Sequence, residues 1–281
     1  MPLNAELLLK YEPPVVEFTL TDKDVMLYAL SIGMSEDPLD PVELAYTYEK
    51  GLKVFPTMSA ILGIGEDWCV DPRFNITYSM IVHGTQRLEV FGDLEVGRVL
   101  VARTFFSAIE DKGDKGAIVT SVREISDKAT GKLLSRQEGG VFCRADGGFG
   151  KSTPPERAYR RVPERAPDAT IDVPTRANMA LLYRLNQDRN PLHADPEAAA
   201  EAGFPRPIMH GLGTYGAVGL ALWRHFPGRE LVSIENRFSS PVFPGETISV
   251  DIWHEGEEVA FRARIAARNV TVLDLGRARL V

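Results

Sequence analysis

HGLGTYGAVGLALWRHF, His210 to Phe226, is apolar nearly all the way round when wound as a helix, so it belongs inside the protein rather than on its surface. Gly211, Gly213, Gly216 and Gly219 each cost such a helix about 1 kcal/mol relative to Ala. Four of them are tolerable only where a bare backbone is wanted, which predicts close packing of the helix against a sheet. The flanking segments are strand-like, so the expected architecture is α+β: curved antiparallel sheet wrapped round a buried helix.

Working outward, the chain reads as two similar halves. Ala145 to Asn178 is broken by Gly147, Gly148, Gly150, Pro154, Pro155, Pro163, Pro167 and Pro174, which is loop or linker chemistry. It separates a first half, residues 1–150, from a second, 151–281. A helical pattern over Asp24 to Ile32 leads into Ser35-Glu36-Asp37-Pro38, and one over Asn178 to Leu185 leads into Asp188-Arg189-Asn190-Pro191. Phe55-Pro56 and Phe204-Pro205 follow. Later in each half a glycine, Gly97 or Gly245, opens a strand alternating between inward and outward side chains. Further strand-like runs cover Gly116 to Glu124 and Val259 to Ala266.

Composition narrows the function. The 281 residues are 44% apolar and 25% charged, values that support a folded core. A net charge of −7 lacks the basic footprint of a nucleic-acid binder, while leaving room for local cations that meet a phosphate. Cys69 and Cys143 form no disulfide framework or metal motif and read as small buried hydrophobes. Residues Met1 to Pro14 do not read as a signal peptide, no apolar run approaches the ~18 residues of a membrane span, and the C-terminal residues are not a Ser-Lys-Leu address. The expected setting is cytoplasmic, with no membrane partner.

The densest polar cluster is Tyr183 to Pro196. Asp195, before Pro196 and ahead of Gly203, reads as the cap of a short helix. Asp188 and His193 stand five apart across a proline-containing loop. Two readings stay open on spacing alone: turn former and satisfied surface histidine, or a carboxylate and an imidazole around one water, an acid–base pair for neutral pH. Asp188, His193, Asp195 and His210 lack a familiar metal-ligand spacing, and no metal is expected. Gly211 opens the long helix; it is either a packing glycine or the source of a free amide that meets a developing oxyanion.

Asp188-Arg189-Asn190-Pro191-Leu192-His193, followed by Pro207-Ile208-Met209-His210-Gly211, resembles the signature of the MaoC-like hydratases. It is most similar to hydratase 2, the kind found in the hydratase part of peroxisomal multifunctional enzyme type 2. Tyr28 to Gly33, Phe55-Pro56-Thr57, His83-Gly84-Thr85-Gln86, Asp111-Lys112-Gly113, Arg237-Phe238 and Pro241 to Gly245 extend the resemblance over about residues 24 to 276. It implies a tandem hot-dog fold with a buried helix in each half. It also implies (R)-specific hydration of trans-2-enoyl-CoA, with CoA as part of the substrate and no separate cofactor. Asp188 and His193 would hold the water and move the proton, the Gly211 amide would hold the thioester oxygen, and Asn190 would support the loop. His83, Gly84, Lys112, Arg189, Pro191, Leu192 and Phe238 would contact the acyl-CoA. A homodimer is implied by the same analogy.

Two departures stand out. Many members carry Ser-Gly before the aspartate, where this chain has Asn186-Gln187, and Thr85 replaces a glutamate. The first half has Asp37-Pro38-Leu39-Asp40 without a histidine, so the active site is expected in the second half alone, the first making room for a long or bulky acyl chain. The competing readings are a hot-dog thioesterase, a dehydratase of a specialised CoA ester, or a non-catalytic acyl-CoA-binding module.

Overall fold

The computed structural model describes residues 2–281. The first half contains helix α1 (Ala5–Lys10), strand β1 (Val16–Thr19), helices α2 (Asp22–Ser31) and α3 (Pro41–Leu44), a buried 3-10 segment (Pro56–Ile61), and strands β2 (Ile81–Val90), β3 (Val99–Asp111), β4 (Ala117–Asp127) and β5 (Leu133–Cys143). The second half contains β6 (Ala169–Pro174), α4 (Met179–Tyr183), α5 (Pro196–Glu201), α6 (Gly211–His225), β7 (Leu231–Phe238), β8 (Thr247–Glu255), β9 (Glu258–Ile265) and β10 (Val270–Leu280).

All ten strands form one antiparallel sheet in the order β1-β3-β4-β5-β2-β7-β10-β9-β8-β6. Read outward from the centre, the two halves have the same order, with helices inserted between the first and second strand of each. The internal repeat is therefore topological as well as sequential, and the architecture is the tandem hot dog. The halves meet where β2 pairs with β7, from Thr85↔Arg237 to Glu89↔Ser233. On the outer face of this seam Arg87 is ion-paired to Glu235 at 2.5 Å and to Glu138 at 3.0 Å, all largely buried.

Three differences from the sequence reading have physical reasons. The stretch taken as linker contains β6, whose side chains alternate between half-buried and exposed. Its proline, Pro174, ends an edge strand, where a missing N–H costs little. Second, among the described residues only the second half has a long buried helix. The corresponding part of the first half is the six-residue 3-10 segment, begun by Pro56 and cut short before Gly63, which takes a left-handed φ of 62°. Third, the α6 glycines face mostly the helical layer rather than the sheet. A side chain on Gly213 would meet the Tyr183 ring, one on Gly216 would meet Ile32 and Tyr28, and one on Gly219 would meet Thr57 before Ile234.

Tyr28 also donates from its hydroxyl to Thr57 Oγ1 at 2.9 Å, so the group that Gly216 accommodates is itself held in place. A Cβ at Gly216 would lie 2.7 Å from Ile32 Cγ2 and 2.8 Å from the Tyr28 hydroxyl. Gly216→Val is expected to lower stability by on the order of 2–3 kcal/mol through overpacking. Urea unfolding measures it; an unchanged midpoint would show that α6 does not depend on this close approach.

Candidate active site

α4 ends at Tyr183, and the chain runs through Arg184–Arg189 into a short 3-10 turn, Pro191–His193. Three local devices shape this loop. Asn186 is buried and donates from Nδ2 to Ser31 Oγ and to Tyr183 O, both at 2.9 Å, which ties the loop to α2 of the first half. Asp188 Oδ1 accepts from the Asn190 amide at 3.2 Å, and Asn190 Oδ1 accepts from the Leu192 amide at 3.0 Å. These are the Asx-type turns that short polar side chains favour.

His193 is buried at 8% exposure, whereas the Asp188 side chain is half exposed. His193 Nδ1 lies 2.9 Å from Ile208 O. A carbonyl only accepts, so Nδ1 carries the proton and Nε2 presents a free lone pair. His210 stacks on His193, ring centroids 3.7 Å apart and planes 26° from parallel. Its Nε2 donates to Asp188 O at 3.2 Å and lies 4.0 Å from Asp188 Oδ2. One side-chain nitrogen or oxygen from each of Asp188, His193 and His210 falls within 4.8 Å of the others. Such a trio has the donor types for a divalent cation. However, His210 Nε2 is already committed as a donor, and two nearly parallel rings send their in-plane lone pairs side by side rather than to one point.

Electrostatics keep these imidazoles neutral. Burial is the main cause of the lowering of His193; Ile208 O and Asp188 oppose it. Burial, then the neighbouring His193, brings His210 down to about 4. A neutral His193 with its Nε2 lone pair free is a base, and the exposed Asp188 carboxylate beside it can share a water.

His210 caps α6, so the Gly211 amide opens the helix with no carbonyl a turn earlier to receive it. Phe238 of β7 covers Gly211: a Cβ there would lie 3.3 Å from the ring. His83 packs against Phe238 with ring centroids 4.7 Å apart. His83 comes from a bulge in β2 centred on Gly84, and its Nε2 donates to Thr85 O at 3.0 Å. The structure thus gathers Asp188, Asn190, His193, Gly211, Phe238 and His83, with Gly84 behind them. Pro191 begins the 3-10 turn and Leu192 accepts the Ile208 amide through its carbonyl. Arg189 is exposed with no hydrogen bond to another described residue. Lys112 sits on the β3–β4 hairpin, ion-paired to Glu110 at 2.7 Å, with no bond joining it to the loop. His210, directly before Gly211, is a site residue that spacing does not reveal, because its stacking on His193 arises only in the folded chain.

Residues 18–145 match the MFE-2 hydratase 2 N-terminal domain and residues 159–274 match the MaoC like domain. Over 266 residues the chain is 38% identical to enoyl-CoA hydratase ChsH3 of Mycobacterium tuberculosis, covering 92% of each protein. The chain belongs to the MaoC-like hydratases, in their hydratase 2 branch. It is also 34% identical to peroxisomal enoyl-CoA hydratase 2 of Arabidopsis thaliana, over 96% of this chain and 93% of that one. The crystal structure of a MaoC-like dehydratase from Phytophthora capsici superposes with a TM-score of 0.87 at 31% identity, covering 99% of both chains.

For a MaoC-like hydratase the unusual residue is Gln187. It adopts φ of 85°, a left-handed conformation that costs a side-chain-bearing residue about 1 kcal/mol or more and a glycine little. A glycine at this position would take the same turn without strain, and Asn186 ties the loop to Ser31 Oγ and Tyr183 O. Gln187→Gly is expected to gain up to about 1 kcal/mol, partly offset by added freedom of the unfolded chain, while Gln187→Ile loses stability. Thermal denaturation of both variants checks this; destabilisation by glycine would contradict the strain.

The buried histidines also set an acid sensitivity. His83 and His210 are held at about 4, below the ordinary imidazole value near 6.5, and His193 is lowered as well. The unfolded chain therefore binds protons that the native state refuses. This stability is present in full above about pH 6.5 and is lost progressively as pH falls towards 4. Denaturant midpoints at pH 7, 6 and 5 are expected to fall more steeply in the wild type than in His83→Gln or His210→Gln. Parallel curves would refute the assignment.

Proposed function

We propose that the chain catalyses the reversible hydration of trans-2-enoyl-CoA to (3R)-3-hydroxyacyl-CoA, as a hydro-lyase. The observation that carries this reading is the neutral His193, its Nε2 free and beside the Asp188 carboxylate, one stacked ring away from the opening amide of α6. A water held by Asp188 and His193 adds its oxygen to C3, gives up one proton to the pair, and C2 receives a proton from the same pair. As electrons move onto the thioester oxygen, the Gly211 amide stabilises the charge at a helix start, where donors are unpaired and the dipole is favourable. In the reverse direction the same groups remove water. The names of the relatives, enoyl-CoA hydratase among them, support the substrate class.

CoA enters as part of the substrate, and no other cofactor has a step to perform. In this reading the first half houses the acyl chain, since its short 3-10 segment fills less of the concave face than a long helix would. A homodimer follows from family resemblance. Two free, buried thiols fit a cytoplasmic setting. Among the described residues, no helix is long and apolar enough to cross a membrane.

Hydration of crotonyl-CoA and trans-2-decenoyl-CoA, followed by loss of enoyl-thioester absorbance, tests the proposal. Asp188→Asn and His193→Ala are each expected to lower kcat by about 10²–10⁴. The product should be the (R)-alcohol, with no release of CoA thiol and faster turnover of the longer chain. Thiol release would point to a thioesterase; full activity in either variant would remove the pair from the chemistry.

A further inference from the structure

The concave face of the first half carries a part-buried cation, its Nε shut off from solvent, that the hydration chemistry does not use. Arg123 on β4 stands in register with Gln137 on β5. Its Nη2 donates to Ala60 O at 2.8 Å and to Gln137 Oε1 at 2.9 Å, both neutral acceptors. No carboxylate answers it. Its Nε is buried without a partner, and so is Gln137 Nε2, now that the other end of that amide is accepting from the arginine. Burial alone brings Arg123 down to about 10. On the opposite face, by contrast, Arg87 has two glutamates. Desolvating a cation among neutral partners is costly, and each orphaned donor adds to the cost. Two unpaired donors in adjacent register positions call for an acceptor-rich anion.

Arg123 also lies on a line that begins at the catalytic end. Gly211 touches Phe238, and Phe238 touches His83. Next comes Gly139: a Cβ there would be 3.6 Å from Gln86 Oε1, 3.9 Å from His83 Nε2 and 4.0 Å from Ser121 Oγ, so the missing side chain leaves room among these three polar groups. Ser121 and Arg123 are alternate residues on one strand and share its face, about 7 Å apart. Both Arg123 and Asp188 lie near enough to His83 to act on its charge.

We propose that Arg123, with Gln137, is a specificity-determining residue that receives a carboxylate at the far end of the acyl chain, so that the preferred substrates are enoyl-CoA thioesters of dicarboxylic acids. The unpartnered Arg123 Nε–H and the Gln137 Nε2 amide give a carboxylate charge-assisted donors that a methyl terminus cannot use. The inference rests on the hydratase reading above and adds the chemistry of the distal group.

The experiment compares kcat/KM for trans-2-enoyl-CoA esters with a terminal carboxylate against methyl-ended esters of equal length, across a chain-length series. Wild type, Arg123→Met and Arg123→Lys are measured. The wild type is expected to prefer the carboxylate by about tenfold or more at the length that reaches Arg123. Arg123→Met should lose that ratio and Arg123→Lys retain much of it. The ratio is read within one protein sample, so a general loss of folded enzyme does not mimic it. Should Arg123→Met fail to fold, Gln137→Leu reads the same ratio and is expected to reduce it severalfold. Hydration of methyl-ended chains with no preference at any length overturns the inference while leaving the hydratase reading intact, as does a preference that survives Arg123→Met. A wild type that hydrates neither series overturns the hydratase reading itself, and this inference with it.

Discussion

Along Thr85–Glu89 and Ser233–Arg237, two strands far apart in sequence share a ladder of backbone hydrogen bonds, and the catalytic end of the molecule depends on that seam. It turns two five-stranded units into one sheet with a common concave face. Without it, His83 would not reach Phe238, the ring that covers Gly211. The outer face of the seam is fastened by Arg87 between Glu138 and Glu235, a buried trio whose members are each costly without the others.

On this frame the site is assembled from local strain and local capping. Asn186, Asp188 and Asn190 hold the loop through side-chain bonds to nearby groups, and Gln187 accepts an unfavourable φ so that Asp188 keeps its place. The stacked histidines supply the other half. Burial keeps both imidazoles uncharged, which allows two rings to lie 3.7 Å apart without like-charge repulsion. A protonated His193 would be repelled by a protonated His210 and would lose its role as acceptor. The same burial that makes His193 a base therefore makes the site intolerant of acid.

Much of this was legible in the residues. The Asp195 cap and its helix, the long helix at His210 to Phe226, and strands near Gly97, Gly116, Gly245 and Val259 lie within a few residues of their expected places. Each follows from short-range chemistry: periodicity, a capping side chain, or a glycine at a turn. The failures share a different cause. β6 was lost among prolines because its partner, β8, is about eighty residues away and supplies the reason for its extended form. The helix glycines were assigned to the sheet because composition says that a backbone is approached closely, but not by what; Tyr183, Ile32 and Thr57 provide the answer.

The residue order was thus enough to establish a repeated α+β chain, one buried helix, and the loop that brings Asp188 and His193 together. These are properties of neighbours along the backbone, where spacing nearly dictates proximity. Which tautomer His193 holds, the stacking of His210, the arrival of His83 from the other half, and the isolation of Arg123 among neutral partners emerged only when the sheet was closed. Each depends on the distance and dielectric between groups separated by fourteen residues or more, and a protonation state or an unpaired cation has no meaning until that surrounding volume exists.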